Sequence, residues 1–370
     1  MSIDTASEAD DIAFMEQALR VAAQGMNTTT PNPRVGCVLV DATGQVIAQG
    51  YHRLAGEGHA EVNAIAEVAN RQQLKGATAY VTLEPCNHHG KTAPCSEALI
   101  AAGIARVVYG MEDPNPQVAG TGLARLTEAG ITVVGPLLEE QARALNPGFI
   151  KRMQTGLPLV RCKLAMSLDG RTAMASGESK WITGPSARQD VQRLRARSCA
   201  IITGADSVLL DDPLLTVRLP ECERQPLRVI VDGQHRVSTK AEIFTQGGEI
   251  VIATCSEPCQ QRADRQGIEY WVLAQKNGHI DLSILLRRLA DQGCNEVLLE
   301  TGATLAGAFV GAGLVDEIVV YIAAKLLGSS ARPLVDIPIK TMGAALELAI
   351  VDVRAVGPDW RITAIPDRES

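Results

Sequence analysis

Four residues between positions 59 and 95 have the types and spacing to do chemistry together: His59, Glu61, Cys86 and Cys95. One imidazole and two thiolates make three protein ligands for zinc. They leave a fourth tetrahedral position open to water, as in a catalytic rather than a structural site. Glu61 lies two residues beyond the histidine, so it can flank the metal without ligating it, the place of a proton shuttle. His59 opens one expected helix and Pro94-Cys95 opens the next, so two helix N-termini favour negative charge at the metal. A lone histidine is more often a cap or core residue, and a lone pair of cysteines more often buried thiols. The combination with Glu61, and with Pro85 and Pro94 ahead of the two cysteines, carries the catalytic reading. A structural zinc would take its fourth ligand from His88 or His89 and would have no use for Glu61.

His-x-Glu followed by Pro-Cys-x-x-Cys is the signature of the zinc nucleobase deaminases. Here eight residues, Asn87 to Pro94, separate the two cysteines. The longer loop still returns Cys95 to a helix start, and it adds His88, His89 and Lys91 beside the metal. The runs Pro31-Asn-Pro-Arg-Val-Gly36, Gly58-His-Ala-Glu61 and Thr82-Leu-Glu-Pro-Cys-Asn-His-His-Gly90 resemble the bifunctional deaminase–reductase family of riboflavin biosynthesis. The long loop between the cysteines is that family's form, although a serine usually stands where Asn87 is. The resemblance runs from about Asp11 to Thr363. It implies zinc-dependent hydrolytic deamination of 2,5-diamino-6-(5-phosphoribosylamino)pyrimidin-4(3H)-one, then NADPH-dependent reduction of the ribosyl group to ribityl. Zn2+ and NADPH are the cofactors so implied, and a phosphoribosylated aminopyrimidine is the substrate. By it, Asn32, His88 and Lys91 contact the pyrimidine or its ribose phosphate.

Three segments stand out in the second half. Lys163-Leu-Ala-Met-Ser-Leu-Asp-Gly170 is a strand running into a turn, with Ser167 and Asp169 at its end. Gly204 to Arg218 reads as a polar loop after a strand, and Glu300 to Gly307 as a strand-to-helix turn with Gly302 placed for close backbone approach. Ligands bind at strand C-terminal ends in open α/β sheets, and helix N-termini bind anions, so these segments alone suggest a nucleotide or phosphate ligand. Gly120-Thr-Gly122 lacks the third glycine of a dinucleotide fingerprint and is set aside. The resemblance implies a dihydrofolate-reductase-like domain. It places the dinucleotide against Ala165, Trp181, Ser207, Asp211 and the stretch Gly302, Ala303, Thr304, Leu305, Ala306, Gly307, Ala308. It places the phosphoribosyl substrate against Ser179, Arg195, Leu215, Arg218 and Glu300. Of the arginines at 188, 193, 195 and 197, only Arg195 has a family role, the rest reading as a solvated face. Cys255 and Cys259 read as two free thiols.

The elements that must position these residues follow from periodicity. A helix is expected over Ile12 to Gln24, strands over Gly36–Val40 and Val46–Tyr51, and a helix over His59 to Ala69. A strand over Thr78–Leu83, a helix over Pro94–Ala102, a strand over Arg106–Tyr109, a helix over Gly122–Ala129 and a strand over Ile131–Val134 complete a mixed sheet between helices. Near residue 150 the pattern breaks, with Asn146, Pro147, Gly148, Gly156 and Pro158 bracketing a short basic link at Lys151 and Arg152. Beyond it the alternation restarts, with strands at 159–166, 200–203, 227–231, 249–253 and 296–300. Helices are expected at 185–196, 282–292 and from Leu305. The fold class is α/β with two domains, at 10–149 and 157–366, and the resemblance implies that the first is a cytidine-deaminase-like α/β/α layer and the second a dihydrofolate-reductase-like α/β domain.

Bulk composition agrees. The chain has 370 residues, 46% of them hydrophobic, enough for two cores. Its 35 basic and 42 acidic residues give a net charge of −7, and aromatics are only 3%. That disfavours the rival reading, a zinc deaminase acting on another nucleobase in tRNA or single-stranded nucleic acid, which needs basic grooves and stacking platforms. An odd count of nine cysteines, a polar acidic start and no apolar run near 18 residues point to a reduced cytoplasmic protein with no membrane segment. The resemblance adds homo-oligomerisation through the reductase half.

Overall fold

The structure, a computed structural model, describes residues 7–87, 94–116, 118–220, 222, 224–259 and 267–367. The chain divides into two compact units, Met1–Gly156 and Leu157–Ser370.

In the first unit, helix α1 (Glu8–Ala22) begins a turn earlier than the hydrophobic spacing suggests. Ser7 and Asp10 form a reciprocal capping box that supplies the missing N-terminal partners. Strands β1 (Gly36–Val40), β2 (Val46–Tyr51), β3 (Thr78–Val81), β4 (Arg106–Tyr109) and β5 (Thr132–Val134) form a sheet in the order β2-β1-β3-β4-β5. β1 is antiparallel to both neighbours, and β3, β4 and β5 run parallel. Alternate residues feed two cores. Val38, Tyr80 and Val108 pack with Met15 and Ala18 of α1, whereas Leu39, Val81 and Val107 pack with helices α2 (Ala60–Glu67) and α3 (Cys95–Ala102) on the other face. This is the expected α/β/α layering. Helix α2 lies hard against the sheet because Gly50 has no side chain: a Cβ there would sit 2.4 Å from the Ala64 nitrogen. Asp11 ties α1 to the sheet, taking 2.8 and 2.6 Å bonds from Arg106 and one from Tyr80.

The basic link at Lys151 and Arg152 is not a link. The expected helix α4 runs from Thr121 to Glu128; α5 (Glu139–Leu145) is one the sequence reading did not place, and α6 then runs from Pro147 to Thr155. Pro147 sits in the first turn, where a missing N–H costs nothing, and Phe149 and Ile150 are buried. The unit therefore ends at Gly156, whose φ of +69° closes the helix. A fragment ending at Gly156 should unfold cooperatively in urea, and one ending at Ile150, with half of α6 removed, should have a lower midpoint. Equal midpoints would show that α6 does not belong to the first unit.

The second unit is built on a nine-stranded sheet among the described residues. Its strands are β6 (Leu159–Ser167), β8 (Ala200–Gly204), β9 (Leu227–Val231), β10 (Ile250–Thr254), β11 (Ile268–Val272), β14 (Glu296–Glu300), β15 (Glu317–Ala323), β17 (Leu348–Val356) and β18 (Asp359–Pro366). The order is β11-β10-β9-β8-β14-β6-β15-β18-β17, parallel except at β18 and β17. Four short strands pair outside it: β7 (Arg171–Ala173) with β16 (Arg332–Pro333), and β12 (Gln275–Lys276) with β13 (His279–Ile280). Helices α7 (Pro185–Arg197), α8 (Ala205–Asp211), α9 (Leu282–Asp291) and α10 (Ala303–Gly311) complete the unit. The run read as a polar loop from Gly204 is helical over its first seven residues, because Ala205 and Val208 face the core. α10 starts two residues before Leu305, with Gly302 as its N-cap. The final antiparallel pair escaped sequence reading since β17 is exposed along most of its length and shows no alternation.

Candidate functional site

In the first unit, His59 is the N-cap of α2, Cys95 is the first residue of α3, and Cys86 follows the end of β3. The three meet: His59 Nδ1 lies 3.1 Å from Cys95 Sγ and 3.5 Å from Cys86 Sγ, and all three donor atoms fall within 4.8 Å of one another. Zinc bound at about 2.0 Å to nitrogen and 2.3 Å to sulfur sets tetrahedral ligands about 3.5 Å apart, so the donor set fits the ion. Bonding to Cys95, with His59 adding to it, holds the Cys86 thiol well below the usual thiol range against the opposing effect of burial. Glu61, one residue into α2, is 3% exposed. Burial, with the charge of Cys86, pushes its carboxyl up to about 7. A carboxyl that exchanges a proton near neutrality beside three zinc ligands is suited to general acid–base work.

Two supports of this site were not legible beforehand. Glu84 is buried, and its carboxylate accepts from the backbone nitrogens of Asp113, Gly120, Gly122 and Leu123. It thereby caps α4 and holds that helix start against the loop carrying Cys86. Gly122 is required there, since a Cβ would lie 1.8 Å from the Pro85 carbonyl oxygen. The Gly120–Gly122 pair thus serves a carboxylate of the chain itself. Asn87, where the family usually has serine, accepts a 2.8 Å bond from Ser96 Oγ and ties the loop to α3. His52 is the second support. Its Nδ1 donates to the Gly58 carbonyl at 3.0 Å, which leaves Nε2 to accept from Asn32 Nδ2 at 2.9 Å. That chain orients the Asn32 amide, and the His52 ring meets His59 edge-on at 5.3 Å. His88 and Lys91 lie outside the described residues.

In the second unit, the C-terminal ends of the parallel strands open into a cleft of about 1720 Å³. Ala165, Ser179, Trp181, Arg195, Ser207, Asp211, Leu215, Arg218 and Glu300 all line it, as do Gly302 to Leu305 and Ala308. Ala306 and Gly307 do not. Ala306 is fully buried in the core, and a Cβ on Gly307 would lie 2.0 Å from the Asp336 carbonyl oxygen, so that glycine admits backbone rather than ligand. The backbone N–H groups of Ala303, Thr304 and Leu305 belong to the first turn of α10, beyond the reach of the helix's own carbonyls, and these residues line the cleft, a donor set that fits a dinucleotide pyrophosphate.

The cleft floor is a charge cluster. Arg195 bonds Glu300 through two nitrogens, at 2.6 and 3.0 Å, and donates to the Thr216 carbonyl. Its guanidinium positions Glu300 with two of its five N–H donors while still lining the cleft. Arg218 has no side-chain bond to the described residues, and its side chain stands exposed at the cleft. Lys163, to which the sequence reading gave no role, is the cross-strand partner of Glu300, with Nζ 3.9 Å from its carboxylate. Burial pushes Lys163 down, whereas for Glu300 the charge and bonding of Arg195 outweigh burial and hold the carboxyl below its usual range. A lysine in β6, where the other residues apart from Arg161 and Ser167 are apolar, was the available signal. Over the cleft, Ser179 Oγ donates to Asp211 at 2.5 Å, and Arg188 stacks 4.5 Å from the Trp181 ring. Arg197 pairs with the buried Glu296 at 3.1 Å. Arg188 and Arg197 are thus not a solvated face, because α7 turns them toward groups that need a cation. Ser167 and Asp169 also work structurally: Asp169 takes a bond from Ser167 and holds the amides of Leu327 and Gly328. Cys255 and Cys259 are both free thiols.

Comparison with known proteins matches residues 8–111 to the cytidine and deoxycytidylate deaminase zinc-binding region, and residues 158–362 to the RibD C-terminal domain. The chain is 50% identical over 362 residues to the riboflavin biosynthesis protein RibD of Escherichia coli, covering 94% of this chain and 97% of that one. The Haemophilus influenzae RibD is 46% identical, with 96% and 97% covered. Among solved structures, Acinetobacter baumannii RibD superposes with a TM-score of 0.91 at 44% identity, covering 97% and 99% of the two chains. A Thermotoga maritima diaminohydroxyphosphoribosylaminopyrimidine deaminase/5-amino-6-(5-phosphoribosylamino)uracil reductase superposes at 0.88 with 33% identity and the same coverage.

Proposed function

The chain belongs to the RibD family of bifunctional deaminase–reductases of riboflavin biosynthesis, and we propose that it acts on the phosphoribosylated diaminopyrimidine for which the Thermotoga relative is named. The carrying observation is the buried Glu61 beside a three-ligand site, an arrangement with no use in a closed structural centre.

Zinc held by His59, Cys86 and Cys95 supplies water activated at neutral pH for attack on the amino-bearing C2. Glu61 would take one proton of that water and pass it to the ring nitrogen, then take the proton of the hydroxyl added at C2 and pass it to the amino group, which leaves as ammonia while the C2 carbonyl forms. Asn32, its amide oriented by His52, binds the ring edge, and His88 and Lys91 hold the ring or its ribose phosphate. Water adds and ammonia leaves, so the diaminopyrimidine becomes an aminouracil.

In the second unit, bound NADPH supplies hydride to C1 of the ribosyl group. Gly302 to Leu305 cradle the pyrophosphate, while Ala165, Trp181, Ser207, Asp211 and Ala308 shape the walls around the dinucleotide. Arg218 and Ser179 anchor the phosphoribosyl group, Leu215 packs beneath it, and Arg195 holds Glu300 in place. Lys163 and Glu300 are the paired groups able to hold the proton that the ring oxygen gains as the sugar opens. Orientation contributes more here than covalent chemistry. A deaminase of tRNA or single-stranded nucleic acid would share the zinc core but leave this second cleft without a role. The test follows ammonia release and NADPH oxidation separately on the pyrimidine substrate. No ammonia from the zinc-loaded protein would sink the reading.

We also infer that the protein is a homo-oligomer joined through this unit. Ile350, Val351, Val353, Trp360 and Ile365 on the outermost strands are 45–62% exposed, an apolar surface that a second copy would cover. Among the described residues, no helix is long and apolar enough to cross a membrane. Ile350→Asp should lower the mass seen in sedimentation, and a wild-type protein that sediments as a monomer would refute the inference.

A further inference from the structure

The cleft extends well beyond Glu300, and its far end has had no assignment. From β6, which carries Ala165, to β9 is three strand steps, about 14 Å at about 4.8 Å each. A dinucleotide with its nicotinamide near Ala165 and its pyrophosphate at the start of α10 therefore lays its adenosine at the end of β9. In dinucleotide-binding sheets an acid at such a strand end accepts a ribose hydroxyl, whereas an arginine accommodates a 2′-phosphate.

The acid at the end of β9 is Asp232, and it is turned inward. It is 1% exposed, and its two oxygens accept from the backbone nitrogens of Arg236 at 2.9 Å and Val237 at 2.8 Å. Burial keeps Asp232 out of reach of a ribose in the cleft, and its two bonds fix the backbone of Arg236. The Arg236 side chain lines the cleft and meets Asp206 Oδ1 at 2.6 Å. Both partners are exposed, at 46% and 64%, so the pair is weak and exchangeable for a ligand oxyanion. Across the rim, β12 and β13 join through Asn277 and Gly278, both at positive φ, a two-residue turn that pairs Lys276 with His279. Asp281, also on the rim, is engaged as the N-cap of α9, accepting from Ser283. Asp206 is thus the acid paired with Arg236, and no backbone amide among the described residues occupies its carboxylate.

We propose that Arg236 reads the 2′-phosphate of the dinucleotide and makes the reductase selective for NADPH over NADH. Its planar fork matches a phosphate through two parallel bonds, which Lys276 cannot do. The proposal rests on the reductase reading of the second unit.

The test measures dissociation constants of NADP+, NAD+, 2′,5′-ADP and 5′-ADP for the full-length protein and for the Arg236→Ala and Asp206→Ala variants. Deaminase activity in each preparation serves as the check on folding. Arg236→Ala should weaken NADP+ and 2′,5′-ADP by about tenfold or more, and NAD+ and 5′-ADP by less than about threefold. Asp206→Ala should leave NADP+ binding unchanged or tighter, since it removes a like charge from the phosphate position. Equal weakening of both dinucleotides by Arg236→Ala would overturn the proposal. So would a loss of NAD+ affinity on Asp206→Ala with NADP+ binding falling in step, for then Asp206 holds the ribose. Failure of either dinucleotide to bind the unsubstituted protein would instead overturn the reductase reading, and this proposal with it.

Discussion

Glu61→Gln should bind zinc normally and release almost no ammonia. Glutamine keeps the size of the side chain in a position that is 3% exposed, so the packing of α2 against β2 is preserved. It cannot accept and return a proton. General acid–base loss alone lowers rates by roughly 10²–10⁴-fold, and the effect grows where one group serves several transfers. The three ligands do not include Glu61, so metal content should match that of the unsubstituted protein. Reduction of a uracil intermediate that is already deaminated should proceed at its usual rate, since Glu61 lies in the other unit. Cys95→Ala makes the contrast, losing a zinc ligand and deamination together. Zinc content and both half-reactions, measured in each variant, decide the matter. Near-normal ammonia release from zinc-loaded Glu61→Gln protein would falsify the shuttle.

The second large effect falls on reduction. Glu300→Gln should nearly abolish NADPH oxidation and also destabilise the second unit, while ammonia release continues. The Arg195 and Glu300 side chains are 11% and 8% exposed, so this is a buried pair, with Lys163 as a second cation beside it. Removing one member of a buried pair leaves charge without compensation and costs about 3–5 kcal/mol. Glutamine retains one acceptor oxygen for Arg195 but presents an N–H₂ donor to the other guanidinium nitrogen, so the lower end of that range is expected. The check is urea unfolding of each variant alongside the two half-reactions at saturating substrate. Normal reduction with unchanged stability would remove Glu300 from the site. Loss of both half-reactions would show that the substitution acts through folding.

The zinc centre was legible in the amino-acid sequence because its chemistry is local. His59 and Glu61 are two residues apart at a helix start, each cysteine follows a proline, and Cys95 opens a helix, so residue type and local spacing identified the ligands, although only the packing of α2, α3 and the loop after β3 brings their donor atoms together. The strands Gly36–Val40, Val46–Tyr51 and Arg106–Tyr109 were legible for a related reason: short apolar runs bounded by turns have few other ways to bury themselves. Punctuation misled where one residue serves two grammars. Pro147 ends one pattern in the sequence but begins α6 in the fold, because proline is tolerated in a first turn and Phe149 and Ile150 had a core to enter.

Only the tertiary structure could decide which groups meet across the sheets and their loops. Arg195 reads as a substrate contact, and only the fold shows that Glu300, 105 residues away, also bonds two of its nitrogens. Glu84 shows its purpose only when Gly120 and Gly122 arrive above it, and Lys163 only when β14 pairs with β6. The inward turn of Asp232, which leaves Arg236 to face the cleft, is a matter of two backbone amides and a buried carboxylate, and no pattern of residue types announces it. Spacing along the chain specifies a site when the groups share a helix start or a loop. When parallel strands assemble the site, strand order decides which side chains meet, and that order is a property of the whole sheet.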